Sequence, residues 1–260
     1  MKIKLSLIAV LLTGTVFTFT SCKKSSSDSS GPKLTGKQVA SQLALNLSQT
    51  LYGGFGGFSV ADGLNAPGSV GVVKTKNGLK VNSTGDPLCG TIADTTLNVT
   101  VNDNGVTASV KGDLKFAFVC TSGVFSGFNI TDNLAITEST ADIALNFKLI
   151  EDLTMAAQNL AADNSNVTLN GSLSMGGNYT NKSGSSKGSG TLNYSYTFKS
   201  IVVDYNGSIT SGSATFNTSG TGPNGVWNYA GTITFLGNNK ANIVINGASY
   251  NVDLQTGAVS

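Results

Sequence analysis

From Leu97 to the C-terminus, apolar residues return at every second position. A chain patterned this way builds strands with one apolar face. Leu97, Val99 and Val101 alternate with polar residues, Asn102-Asp103-Asn104-Gly105 turns the chain, and Val106, Ala108 and Val110 resume the pattern. Leu114, Phe116, Phe118 and Cys120 share a face, as do Ile143, Leu145, Phe147 and Leu149, and then Val167, Leu169, Leu173 and Met175. Leu192, Tyr194, Tyr196 and Phe198 keep one parity, whereas Ile201, Val203 and Tyr205 take the other, a slip that predicts a β-bulge near Lys199-Ser200. Trp227, Tyr229, Ile233 and Phe235, then Ile243 and Ile245, then Tyr250, Val252 and Leu254 make a closing three-stranded meander, turned at Gly237-Asn238-Asn239 and Asn246-Gly247. Asn206-Gly207 marks one more hairpin.

The predicted fold class is therefore all-β, an antiparallel meander with one wet face. Around ten strands are too many for a flat sheet. They form either a β-sandwich or an open curved barrel. No βαβ alternation occurs, and the strands lack the paired aromatic girdles of a transmembrane barrel.

One segment departs from period two. Thr35-Gly36-Lys37-Gln38 has the spacing of a capping box, and Val39, Ala40, Leu43, Ala44, Leu47 and Leu51 recur at helical intervals until Gly53-Gly54. This predicts one N-terminal amphipathic helix over residues 37–52, a lid on the sheet. The Gly53–Phe58 run after it packs two rings closely or forms an aromatic flap, the former being preferred.

The N-terminus reads as a secretory leader. Lys2 and Lys4 precede an apolar run from Leu5 to Phe19, interrupted by Thr and by Gly14, and small residues lead to Cys22. Phe19-Thr20-Ser21-Cys22 resembles the bacterial lipobox, with Phe19 where Leu is usual, and Ser21-Cys22-Lys23-Lys24 is similar to the leaders of Bacteroidetes-type lipoproteins of uncharacterised function. A Ser-rich, Pro-containing tether follows at once, as a lipid-anchored protein needs. The resemblance implies a signal peptide over 1–21, a lipidated Cys22 opening a tether over 22–36, and one β-rich domain over 37–260. It also implies an outer-membrane location, with the membrane as partner through Cys22 and several acyl chains anchoring the protein essentially permanently. Lysines rather than acidic residues follow Cys22, so periplasmic and surface facing both stay open. With Cys22 lipidated in an oxidising compartment, Cys89 and Cys120 remain as a disulfide pair. A two-thiolate metal site is disfavoured, since no His completes it.

The chain has no His and no Arg, and its 16 basic residues are all Lys, scattered without a basic stripe. Nucleic acid is disfavoured on that ground. Gly31 to Gln38 mimics a phosphate loop, but Gln38 replaces the Ser or Thr that binds magnesium, and a tether precedes it instead of a strand. Gly184-Ser185-Ser186-Lys187-Gly188 fits the spacing of a nucleophile elbow, yet no His exists to serve as base. Glu138 and Glu151 are the only glutamates, and Glu151-Asp152 reads as the solvated end of a strand rather than half of a glycosidase pair. Asn102-Asp103-Asn104 and Asp163-Asn164-Ser165-Asn166 fit turns better than calcium loops. Asp94-Thr95-Thr96 resembles a Bacteroidetes O-glycosylation sequon, or is a polar bend before Leu97. No catalytic, metal or cofactor residues are assigned. The expectation is a non-enzymatic module that binds glycan or protein, with Tyr194, Tyr196, Trp227 and Tyr229 as candidate ligand-facing aromatics if they form an exposed patch, core packing being the preferred reading for most of the aromatics. The rivals are a carrier or sensor holding an apolar ligand between sheet and helix, and a structural envelope protein.

Overall fold

The computed structural model describes residues 33–53, 59–62, 89–160, 165–184, 187–223 and 225–260. The leader, Cys22, the tether up to residue 32 and loop residues 54–58 lie outside them. Helix α1 spans Gly36–Leu51. The strands are β1 (Ile92–Asp103), β2 (Val106–Thr121), β3 (Val124–Ser139), β4 (Ile143–Ala157), β5 (Val167–Asn181), β6 (Gly188–Val203), β7 (Ile209–Gly222), β8 (Gly225–Gly237), β9 (Lys240–Ile245) and β10 (Ala248–Asp253). They make one antiparallel sheet in strict sequence order, and β1 and β10 do not pair with each other. Of the two architectures expected, the open curved sheet is the one formed.

The turns follow from local chemistry. Asn104 and Gly105 (φ 48° and 80°) and Asn246 and Gly247 (φ 51° and 81°) supply the two consecutive positive φ angles of the tightest hairpins. The parity slip at Lys199-Ser200 is a register shift between β6 and β7, with Ser200 at φ 51°. Two strands carry too weak an apolar rhythm to be read from sequence. In β3 the inward positions include Asp132 and Glu138, and in β7 the inward residues after Ile209 are mostly small or polar. Asp94, Thr95 and Thr96 lie inside β1 rather than in a bend before it, because pairing with β2 begins at Ile92.

The inner face alternates large rings with glycines. Phe147 faces Gly177, Tyr179 faces Gly190, Phe216 faces Gly231 and Trp227 faces Gly220 directly across paired strands. A Cβ on Gly177 would lie 2.7 Å from the Phe147 ring, and one on Gly231 2.9 Å from the Phe216 ring. Each ring thus lies flat over its neighbour's backbone, a pairing that favours strong local curvature.

Helix α1 fills the concavity. The capping box is formed: the Thr35 N–H donates to Gln38 Oε1 at 2.9 Å, and the Gln38 N–H donates to Thr35 Oγ1 at 3.3 Å. Val39, Ala40, Leu43, Ala44 and Leu47 have no exposed surface. Just before the helix, the Leu34 N–H donates to the Val226 carbonyl of β8 at 3.0 Å, so the entering chain covers the half of β8 that β9 leaves unpaired. Midway, the Tyr196 hydroxyl of β6 donates to Asn46 Oδ1 at 2.8 Å. Past its end, the Tyr52 hydroxyl meets the backbone of Ile209. Contacts with β6, β7, β8, β9 and β10 from one helix require the sheet to wrap around it.

Cys89 and Cys120 form a disulfide with Cα atoms 5.5 Å apart, joining the start of β1 to the end of β2. Both are half-buried rather than buried, because Cys120 sits at the hairpin tip where the β2–β3 register shifts. Replacing both cysteines by Ser is expected to cost about 3–4 kcal/mol in urea unfolding. Leu43→Ala and Leu47→Ala, each opening a cavity under the sheet, are expected to cost about 3 kcal/mol apiece by the same measurement.

Candidate functional site

The polar face of the sheet holds a trough. One row of outward residues crosses seven strands in register: Lys111, Ala135, Lys148, Gly176, Asn193, Ser219 and Asn228. Ala135 and Gly176 lack long side chains, so the row sinks between its flanks. Two adjoining grooves of about 420 Å³ each result, and they share Lys148 and Gly176. A Cβ on Gly176 would lie 2.5 Å from Asn193 Oδ1, so a side chain there would push the Asn193 amide aside.

Some hydroxyls and amides of the outer face pair across strands: Ser109 with Thr137 at 2.7 Å, Thr180 with Ser189 at 2.9 Å, Thr191 with Thr221 at 3.1 Å and Thr154 with Asn129 at 3.0 Å. In the trough, Asn133, Asn146, Asn178, Asn193, Asn217 and Asn228 are exposed, and none of their side chains bonds to another described residue. Lys111 and Lys148 are equally unengaged. The amides lie two in each of three adjacent register rows (Asn146 with Asn178, Asn193 with Asn228, Asn133 with Asn217), each offering a donor and an acceptor on strands about 4.8 Å apart.

A second cluster points the other way. Asp132 of β3 and Glu151 of β4 face each other in register on the inner side, at 2% and 1% exposure. Glu151 is therefore in mid-strand and inward, not at the solvated end expected for Glu151-Asp152: β4 continues six residues beyond it, to Ala157. The Glu151 N–H donates to Asp132 Oδ1 at 2.9 Å, and the two carboxyls also hydrogen-bond through their side chains. Two carboxyls in such contact share a proton. Burial pushes the Asp132 carboxyl up to about 6, against the lowering effect of its hydrogen bonds with Glu151. Glu138, further along the same face, is also raised by burial, and neither of its oxygens has a partner among the described residues. Every described lysine is exposed, so among the described residues no cation meets these acids from within. Their neighbours in the row are Leu114 and Leu173. Direct carboxyl–carboxyl contact leaves no room for a sugar ring between them, unlike a glycosidase pair.

The candidate aromatics lie inside. Tyr194, Tyr196 and Trp227 are buried and Tyr229 is half-buried. Tyr194, Tyr196 and Phe198 stack along β6 at 6.4 and 5.9 Å, the Trp227 Nε1–H donates to Thr218 Oγ1 at 3.0 Å, and the Tyr229 hydroxyl donates to the Leu34 carbonyl at 2.7 Å. They form no exposed patch, because their parity is that of the core. Of the seven exposed large apolar side chains among the described residues, six (Ile92, Val119, Val124, Leu160, Tyr205 and Leu236) gather at the end of the sheet that carries the β2–β3, β4–β5, β6–β7 and β8–β9 connections. Sequence reasoning missed the trough because single Asn and Lys residues in separate strands say nothing about register.

The remaining motifs form no site. Gly36 to Gln38 make the first turn of α1, and Gly31 and Pro32 lie outside the described residues. Gly184 and Lys187 belong to the β5–β6 connection, with Ser185 and Ser186 outside the description. Asn102 to Asn104 lead into the β1–β2 turn, and Asp163 and Asn164 lie outside. Among the described residues no three His, Cys, Asp or Glu side chains are grouped to hold a metal. No family model, no curated protein and no solved structure matches this chain.

The buried acids make stability depend on pH. The Asp132 carboxyl is raised on folding, so its contribution is complete below the unfolded value near 4 and is lost as pH climbs through about 6. Stability measured by urea is expected to fall between pH 4 and pH 7 by on the order of 3 kcal/mol. Asp132→Asn, which keeps the shape without the ionisation, is expected to flatten that slope. An unchanged slope would show that the pair does not control it.

Proposed function

We propose that this protein is a lipid-anchored outer-membrane lipoprotein, not an enzyme, whose outer sheet face binds an extended glycan. The carrying observation is the trough: six exposed amides, two in each of three adjacent register rows, with no side-chain partner among the described residues. Sugar hydroxyls both donate and accept, and an amide answers both at once. Strand spacing of about 4.8 Å is close to the rise of one ring in an extended β-linked chain, so successive sugars meet successive strands. A protein partner fits less well, because protein interfaces centre on desolvated apolar and aromatic groups and the trough exposes only Ile150 among large apolar residues. The anchor rests on the leader and the Cys22 lipobox resemblance. The absence of any His, together with acids sealed in the core, supports a binding role.

A second reading, the carrier of an apolar ligand, draws on the apolar side chains gathered at one end of the sheet. It requires α1 to leave a concavity that its side chains now fill. A purely structural envelope role leaves the unpaired amides without a use.

Affinity electrophoresis of the full-length protein in gels cast with soluble β-linked polysaccharides tests the reading. Retardation is expected in at least one glycan, weakened about tenfold by Asn193→Ala with Asn217→Ala. No retardation in any glycan, with saturable binding of an apolar fluorescent probe instead, would favour the carrier.

A further inference from the structure

We infer that the glycan taken by the trough is acidic, with a negative charge on alternate sugars. The inference rests on the glycan reading of the same surface. The only charged residues lining the two grooves are Lys111 and Lys148, and no Asp or Glu lines either. Both lysines are exposed, and neither has an ion pair or a hydrogen bond with a described residue. This is not a shortage of acids on the outer face. Asp113, two residues from Lys111, accepts a hydrogen bond from Thr96 at 2.9 Å and stays out of the trough.

The spacing of the two cations narrows the ligand further. Lys111 and Lys148 lie in one register row, with Ala135 between them. Two strand spacings separate their backbones by about 10 Å. That is close to one disaccharide of an extended β-linked chain, so carboxylates on every second sugar meet both ammonium groups while the intervening sugar passes over Ala135. Beyond Lys148 the row carries Gly176, Asn193, Ser219 and Asn228, which offer no further charge and contact the chain by hydrogen bonding. The ligand's charge is therefore read at the β2–β4 side and its sugar hydroxyls at the β5–β8 side.

Titration calorimetry on the full-length protein tests this with three polymers: a neutral β-linked glucan, a polysaccharide alternating a uronic acid with a neutral sugar, and polyglutamate. The alternating acidic chain is expected to bind about tenfold more tightly than the glucan. Lys111→Gln and Lys148→Gln are each expected to weaken the acidic chain about fivefold more than they weaken the glucan, with melting temperatures like the wild type. Equal affinity for glucan and acidic chain, or no effect of either substitution, would overturn the inference and leave glycan binding standing. Polyglutamate binding as tightly as the acidic saccharide would overturn both, since charge alone would then suffice. Binding of none of the three would remove the glycan reading and this inference with it.

Discussion

An open ten-stranded sheet with one apolar face has to cover that face, and among the described residues α1 packs into it against β6, β9 and β10. Sheets that close remove the problem by joining their first and last strands, but β1 and β10 stay apart. The apolar stripe of α1, from Val39 to Leu51, lies in the concavity and has essentially no solvent exposure. Its one buried polar contact with a central strand, Asn46 to the Tyr196 hydroxyl, satisfies two groups whose burial would otherwise be costly. It also fixes which face of the helix meets β6. The glycines opposite Phe147, Tyr179, Phe216 and Trp227 belong to the same requirement, since a sheet that curls this far has little space on its inner side.

What was legible in the sequence follows from how local each signal is. The Asn-Gly turns, the capping box of α1, the closing meander and the slip at Lys199-Ser200 are decided within a few residues, and each is present. β3 and β7 were hidden because alternation is a statement about hydrophobicity, and inward Asp132, Glu138 and Thr218 break it without breaking the strand. Glu151 was misplaced for the same reason: a carboxylate after an apolar run looks like an exit to solvent unless its partner across the sheet is known. The tyrosines and Trp227 could be assigned to the core or the surface only once parity was tied to a helix on one side. The trough needed all the registers from β2 to β8 at once, which no local pattern encodes.

The same period of two that buries the core also sorts the polar groups into two chemical regimes. Inward acids have no cation among the described residues and lose hydration, so they are held toward the neutral form. Outward amides and lysines keep their hydration. A strand shifted by one residue would exchange the two sets, placing lysines in the core and apolar residues in the trough. Register specificity therefore protects the candidate surface and the fold together.

The open surfaces then narrow where a ligand can sit. α1 lies on the inner face beside β6, β9 and β10. Leu34 meets β8 at Val226, and the edge at β10 is bridged from Val252 to Val259. The chain enters beside Val226, at the end whose hairpins carry Asn, Asp, Ser and Lys, while the exposed apolar side chains gather at the opposite end. The outer trough then runs across the strands, at right angles to the line joining the two ends. A long polymer laid in it contacts seven strands without meeting either end, whereas a compact ligand would use only part of the row. The geometry of the trough thus favours an extended chain over a small molecule on the same physical ground that makes it a trough, the register of separate strands.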